Sequence, residues 1–108
     1  MLGGSTRQMI AKGQRYKTTK DIPVTAMTSW AAPFTGGYDR ILRAGEVFTI
    51  ANDPPKTATA VYCDPDDYKR LHSEFIPLSD RLRFWVYRGF YLCIKLREIE
   101  ESCEPIAA

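Results

Sequence analysis

Alternation of apolar and polar residues is the strongest pattern along this chain, and it predicts β-strands over much of its length. The stretch 40–51 is the clearest example, because it contains a turn at Ala44-Gly45 that leads directly into a strand. Leu42, Phe48 and Ile50 then face one side of the strand, since side chains alternate between the two faces of a sheet. This stretch is the one around which the predicted sheet is organised.

Three other segments show the same alternation. The residues 12–22 and 57–63 are predicted as strands, and the proline turn at 52–56 joins the second of them to the stretch 40–51 as a hairpin. The third strand follows Gly89, and a short helical turn over 97–101 then leads to a last strand at 103–106. The chain is therefore expected to be mainly β.

One segment has the spacing of a helix instead. Asp64 is predicted as its N-cap and Pro65 as its first residue, and Pro77 ends it. The apolar positions between them recur every three or four residues and form one stripe, which consists of Tyr68, Leu71, His72, Phe75 and Ile76. We expect a helix over about 65–76 that covers the core.

Two segments have no regular period. The residues 25–39 are predicted as a long loop carrying Trp30, Phe34 and Tyr38, whose rings either close one end of the core or form an exposed binding platform. The second segment, 84–86, is continuously apolar, which is typical of either a strand covered on both faces or a helical turn.

The order of these elements resembles Src-homology-3-like small barrels. The resemblance rests on Gly13–Tyr16, a long loop, the strand Leu42–Ile50, the segment Gly89–Leu92, and a one-turn helix before a closing strand. It implies a small mainly β barrel with one inserted α-helix at about 65–76. The expected domain organisation is a flexible tail at 1–11 and a single barrel domain at 12–108, with the helical insertion at 64–87.

Composition narrows the class of protein further. The 108 residues are close to the usual size of one domain, and 15 basic against 13 acidic residues leave a net charge of only +2. Such a balance is unlike the strongly basic surface of a dedicated nucleic-acid binder. Three cysteines without paired spacing, and the lack of signal-peptide or membrane-spanning patterns, predict a cytoplasmic protein that does not bind membranes.

Catalytic and metal-binding patterns are weak. Cys63 and His72 offer a nucleophile and a base, but no glycine-rich elbow or oxyanion-hole sequence accompanies them. A zinc site would need scattered cysteines to converge on His72, and a calcium loop would need a glycine and a glutamate that are missing after Asp64. We therefore expect no enzyme activity, no metal and no cofactor.

The remaining hypothesis is a non-enzymatic protein-interaction or regulatory module, whose partner is another protein or a second copy. Trp, Tyr and Arg are the residues that most often anchor interfaces. The candidate binding residues are Trp30, Phe34, Tyr38, Arg40, Trp85, Tyr87 and Arg88. The alternative is a nucleic-acid-binding barrel, in which basic residues contact phosphates and neighbouring rings stack on bases.

Overall fold

The fold is taken from a computed structural model, which describes residues 10–27, 37–79 and 90–106. In these residues it contains seven strands and two short helices. The strands are β1 (Arg15–Thr18), β2 (Ile22–Met27), β3 (Tyr38–Leu42), β4 (Val47–Ile50), β5 (Ala60–Pro65), β6 (Tyr91–Lys95) and β7 (Cys103–Ile106). The helices are α1 (Tyr68–Phe75), which follows β5, and α2 (Leu96–Ser102), which follows β6. The predicted mainly β class is confirmed.

All seven strands belong to one antiparallel sheet in the order β3-β2-β6-β5-β4-β1-β7. The first four strands along the chain form a single long hairpin within it. Arg15 lies opposite Thr49 in the β1–β4 pair, and Val24 lies opposite Arg40 in the β2–β3 pair. Moving one residue forward along β1 or β2 moves the paired residue one position back along β4 or β3. The β1–β4 and β2–β3 pairs therefore share one continuous register.

This long hairpin forces the sheet to curl. In a flat sheet β1 and β2 would be four strand spacings apart, about 19 Å. The chain from the end of β1 to the start of β2 has only four residue steps, which span at most about 14 Å. The sheet order is therefore compatible with the connection only if the sheet folds back on itself.

The hairpin bends at a corner formed by residues 18–21 and 43–46. The Thr18 hydroxyl donates a 2.7 Å hydrogen bond to the Arg43 carbonyl and accepts one of 3.0 Å from the Glu46 N–H. The Gly45 N–H donates to the Thr18 carbonyl at 2.9 Å. Because Thr18 is only 2% exposed, these bonds replace water as the partners of buried backbone groups.

Two further contacts hold the corner. The Ala44 N–H donates a 2.9 Å bond to Asp21 Oδ1. From the other side, both the N–H and the hydroxyl of Thr19 donate to the carbonyl of Ser102, the last residue of α2, at 2.8 and 2.9 Å. The corner is thus connected to the end of the second helix as well as to itself.

The core lies inside the curl. Its largest fully buried side chains include Phe48, Leu42, Ile50, Leu92 and Ile94, so the predicted inward face of the stretch 40–51 is confirmed. Both helices add to the same core, through Leu71 and Phe75 of α1 and Ile99 of α2. The helix α2 packs against five strands, β1, β2, β5, β6 and β7, and closes one side of the core.

Four local predictions differ from the structure. The residues 12–22, predicted as one strand, contain β1 and the first residue of β2 with the corner between them. The predicted loop 25–39 is strand at both ends, since β2 runs to Met27 and β3 begins at Tyr38. Pro65 ends β5 opposite Phe48 instead of opening the helix. The helix starts three residues later than expected, with Asp67 rather than Asp64 at the N-cap, although its apolar stripe does face the core.

Pro23 explains why the pairing of β2 is incomplete. It lies opposite Ile41 of β3, but β2 pairs with β6 only from Thr25 to Met27. A proline has no N–H to donate to a ladder, so β2 and β6 are not paired at this point.

Exposed ion pairs join α1 to the corner. Arg70 contacts Glu46, and it also contacts Asp67 at 2.7 Å and Glu74 at 3.3 Å within its own helix. Such solvent-exposed pairs each contribute little to stability, so we regard the hydrogen bonds of Thr18 as the stronger constraint. No helix in the described ranges is both long enough and apolar enough to cross a bilayer.

We predict that Thr18→Val destabilises the fold by about 1–3 kcal/mol, because a nearly isosteric side chain leaves the Glu46 N–H and the Arg43 carbonyl without their hydroxyl partner. Urea unfolding measures the free energy. Thr49→Val, a half-buried position on β4, is the control and is expected to change it by less than about 0.5 kcal/mol. Equal losses in the two variants would contradict the role given to Thr18.

Candidate interaction surface

The structure describes two of the seven predicted binding residues, Tyr38 and Arg40, both on β3. The other five lie outside the described residues. These are Trp30, Phe34, Trp85, Tyr87 and Arg88.

The side chain of Arg40 is held between β3 and α1. Its Nε donates a 2.9 Å hydrogen bond to the carbonyl of Phe75 at the end of α1, and a terminal nitrogen donates to the Asp39 carbonyl at 2.9 Å. The guanidinium carbon lies 5.2 Å from the centre of the Tyr38 ring, within the range of a cation–π contact. Tyr38 itself packs against the core. This pair is thus fixed by intramolecular contacts.

A different group of side chains lies on the outer side of the sheet, which we call the tyrosine face. It crosses the strands β3, β2, β6 and β5 in that order. Its members are Ile41, Pro23, Thr25, Cys93, Tyr91 and Tyr62.

The strand register brings these side chains next to one another. Thr25 lies opposite Cys93, and Cys93 lies opposite Tyr62, so three neighbouring strands contribute one row. The rings of Tyr62 and Tyr91 meet edge to face, with centroids 4.8 Å apart. Ile41 is 54% exposed and Tyr62 is 45% exposed. The face is therefore partly apolar, partly aromatic and open to solvent, and the exposed Asp39 of β3, which lies opposite Thr25, adds a negative charge to the same row.

The two ends of the tyrosine face carry opposite charges. Asp64 lies two residues beyond Tyr62 on β5, and Lys95 lies two residues beyond Cys93 on β6. Because β5 and β6 are antiparallel, these residues lie at opposite ends of the face. Both side chains are exposed.

The three cysteine thiols have raised pKa values, as structural rather than reactive cysteines do. Burial raises the pKa of Cys63 and Cys93, and burial together with Glu98 raises the pKa of Cys103 to about 12. A nucleophilic cysteine requires the opposite shift, because the thiolate is the reactive form. At neutral pH all three thiols are therefore protonated.

His72 lies in a cluster of rings. It stacks on Tyr68 with centroids 6.0 Å apart, and it meets Phe90 edge to face at 5.2 Å. Across the described ranges, no three histidine, cysteine or acidic side chains come close enough together to hold a metal ion.

Comparisons of the chain with protein-family models, with curated protein sequences and with solved structures found no match in any of the three. The case for a function therefore rests on the geometry of the molecule alone.

The sequence contained a signal for the tyrosine face that aromatic content alone did not reveal. Tyr62 stands between the buried residues Val61 and Cys63, and Ile41 precedes the buried Leu42. In a strand, the residue next to an inward one points outward, so alternation places both large side chains in solvent. The densest aromatic clusters along the chain instead lie around Trp30 and Trp85.

We predict that Gly37→Ala disturbs the start of β3 more than Gly45→Ala disturbs the corner. Both glycines have positive φ, +86° and +93°, which costs any other residue about 1–2 kcal/mol. At Gly37 an added Cβ would also lie 2.9 Å from the Ala26 carbonyl and from side-chain atoms of Thr25 and Met27, whereas at Gly45 it meets nothing within 4 Å.

The expected result is an extra loss of about 1–3 kcal/mol for Gly37→Ala, the usual range for overpacking. Urea unfolding of the two variants measures the difference. Indistinguishable free energies of unfolding would show that β3 does not approach β2 at Gly37 as described.

A second prediction concerns alkaline pH. The folded pKa values of Cys63 and Cys103 are raised, so both thiols stay protonated while their unfolded counterparts ionise above about pH 8.5. Above that pH the unfolded state binds fewer protons than the folded state. The free energy of unfolding therefore decreases as the pH rises towards 12. Each thiol contributes a slope of about 1.4 kcal/mol per pH unit within this window.

Urea unfolding between pH 8 and pH 11 measures the total slope. Cys63→Ala is expected to make it shallower by the contribution of one thiol, whatever its effect on stability at pH 7. An unchanged slope in this variant would contradict the assigned burial of Cys63.

Proposed function

We propose that this chain is a non-enzymatic interaction module that associates through its tyrosine face. The observation that carries the proposal is the exposure of Ile41 and Tyr62 beside Tyr91 on one continuous side of the sheet. Large apolar side chains gathered on one surface are typical of interaction sites, whereas singly scattered ones are normal on any protein. Tyrosine is also among the residues that carry most binding energy in interfaces.

The occupant that best fits this face is a second copy of the chain. A two-fold dimer uses the same patch on both subunits, and with the axis across the strands the two faces meet in opposite directions. Asp64 at one end of each face would then meet Lys95 of the partner, and the contact would occur twice. The small net charge of +2 adds little repulsion between copies.

We also propose that the fold is a small barrel of the Src-homology-3-like type. Two features support this assignment. The long bent strand formed by β1 and β2 pairs with β4 at one end and with β6 at the other, so the pairing returns to the strand on which it began. The short helix α2, of seven residues, lies directly before the last strand β7, in the position of the one-turn helix of these barrels. Folds of this kind host many functions, so the barrel itself does not identify a partner.

Nucleic-acid binding by the basic residues of the sheet has less support. Arg15 is engaged in an ion pair with Asp66, and Arg40 donates to the Phe75 carbonyl. A phosphate would have to compete with these intramolecular partners.

We predict that sedimentation velocity detects a dimer of the unmodified chain at concentrations of about 10–500 μM, the range expected of a small, reversible interface. Lys95→Glu and Asp64→Lys should each weaken the dimer at least about tenfold, because each places like charges opposite one another twice. The double variant Lys95→Glu and Asp64→Lys should restore the affinity to within about threefold, since the ion pairs re-form with reversed sign.

Lys69→Glu, on the exposed side of α1, is the matched control and should leave the dimer unchanged. Circular dichroism checks that every variant is folded. A chain that stays monomeric up to 500 μM, or a dimer that the double variant does not restore, would overturn the proposal.

A further inference from the structure

A cleft of about 540 Å³ opens between the β4–β5 loop and the start of α2. This volume lies within the usual range of small-molecule sites, about 300–1,000 Å³. Its apolar lining includes Ile10, Pro54, Pro55 and Leu96. The cleft and the tyrosine face are on different parts of the surface, although Lys95 borders both.

The walls of the cleft are held by backbone contacts. The Leu96 N–H donates a 2.9 Å bond to the Thr59 carbonyl, which joins α2 to the loop. Within the loop, the Ala58 N–H donates to the Pro55 carbonyl at 2.9 Å. The Asp53 carboxylate accepts a 2.8 Å bond from the Lys12 N–H, which fixes the loop from the other side. A site preorganised in this way loses little entropy when it binds a ligand.

All the charged side chains among the described lining residues of the cleft are basic. Lys56, Lys95 and Arg97 border it, and no aspartate or glutamate does. None of the three cations forms an ion pair with another described residue, whereas Arg15 and Arg70 elsewhere on the surface do. Within one copy of the chain, the three positive charges are thus available to an anion.

We infer that this cleft binds a nucleotide. The phosphate would lie among Lys56, Lys95 and Arg97, which supply charge-assisted hydrogen bonds to its oxygens. The base would lie against the proline rings and Leu96, since a planar, weakly polar ring gains from leaving water for such a surface. The nucleotide is either free or part of a single strand, and both present the same chemistry to the cleft.

The experiment titrates ¹⁵N-labelled protein with three probes, inorganic phosphate, adenosine monophosphate and an eight-residue oligodeoxyadenylate, and follows the backbone amides by NMR. The expected result is a Kd for adenosine monophosphate below about 1 mM, at least about tenfold tighter than phosphate because the base adds contacts. The shifted amides should cluster at 56–59 and 95–97. An oligonucleotide that binds more than about tenfold tighter than the mononucleotide identifies the strand as the source, and equal affinities identify the free nucleotide.

The variant that tests the cleft is Lys56→Gln with Arg97→Gln, which leaves Lys95 and the proposed dimer contact intact. It should weaken the binding of adenosine monophosphate at least about tenfold, because two of three charged donors are lost. Its matched control is Lys17→Gln with Arg43→Gln, which removes one lysine and one arginine from exposed positions and should change the affinity less than about twofold.

Three results would overturn the inference. They are phosphate binding as tightly as adenosine monophosphate, equal effects of the two double variants, and no saturable shift up to 10 mM of either nucleotide probe. Lys95 takes part in both proposals, so the phosphate and the partner's Asp64 compete for it. A titration of Asp64→Lys, which weakens the dimer and keeps Lys95, should give the same or a tighter Kd for adenosine monophosphate, and the sedimentation of the Lys56→Gln, Arg97→Gln variant should match that of the unmodified chain.

Discussion

The bend in the long hairpin is the constraint on which the rest of the structure depends. Four residue steps join β1 to β2, yet four strand spacings separate them in the sheet order, so the sheet has to curl. The Thr18 hydroxyl makes the bend possible, because it satisfies an N–H and a carbonyl that the ladder leaves unpaired there. The backbone of α2 supports the same corner through Ser102 and Thr19.

The curl also determines which surfaces the molecule offers. Each strand of the curled sheet has an inner side that builds the core and an outer side that faces solvent. The outer sides of β3, β2, β6 and β5 form the tyrosine face, where Tyr62 and Tyr91 meet. The cleft lies between the β4–β5 loop and α2, and Lys95 borders both it and the tyrosine face.

Local patterns predicted the elements better than they predicted their arrangement. The alternation around Phe48 and the helical stripe around Leu71 both indicated burial correctly, since each depends only on the period of its own element. The helix start was misplaced because Pro65 suits the end of a strand as well as the first turn of a helix. The cleft depends on Pro54 and Arg97 meeting across the fold, which no pattern along the chain contains.

Hydrogen exchange at the corner is the most direct measurement of the central claim. NMR can follow the amides of Thr19, Gly45 and Glu46, which donate to the Ser102 carbonyl, the Thr18 carbonyl and the Thr18 hydroxyl respectively. If the corner holds the curled sheet, these amides exchange as slowly as those of Phe48 and Leu92 in the core, through the same cooperative unfolding. Exchange at the rate of an open surface loop would show that the sheet stays curled without them and would contradict this account.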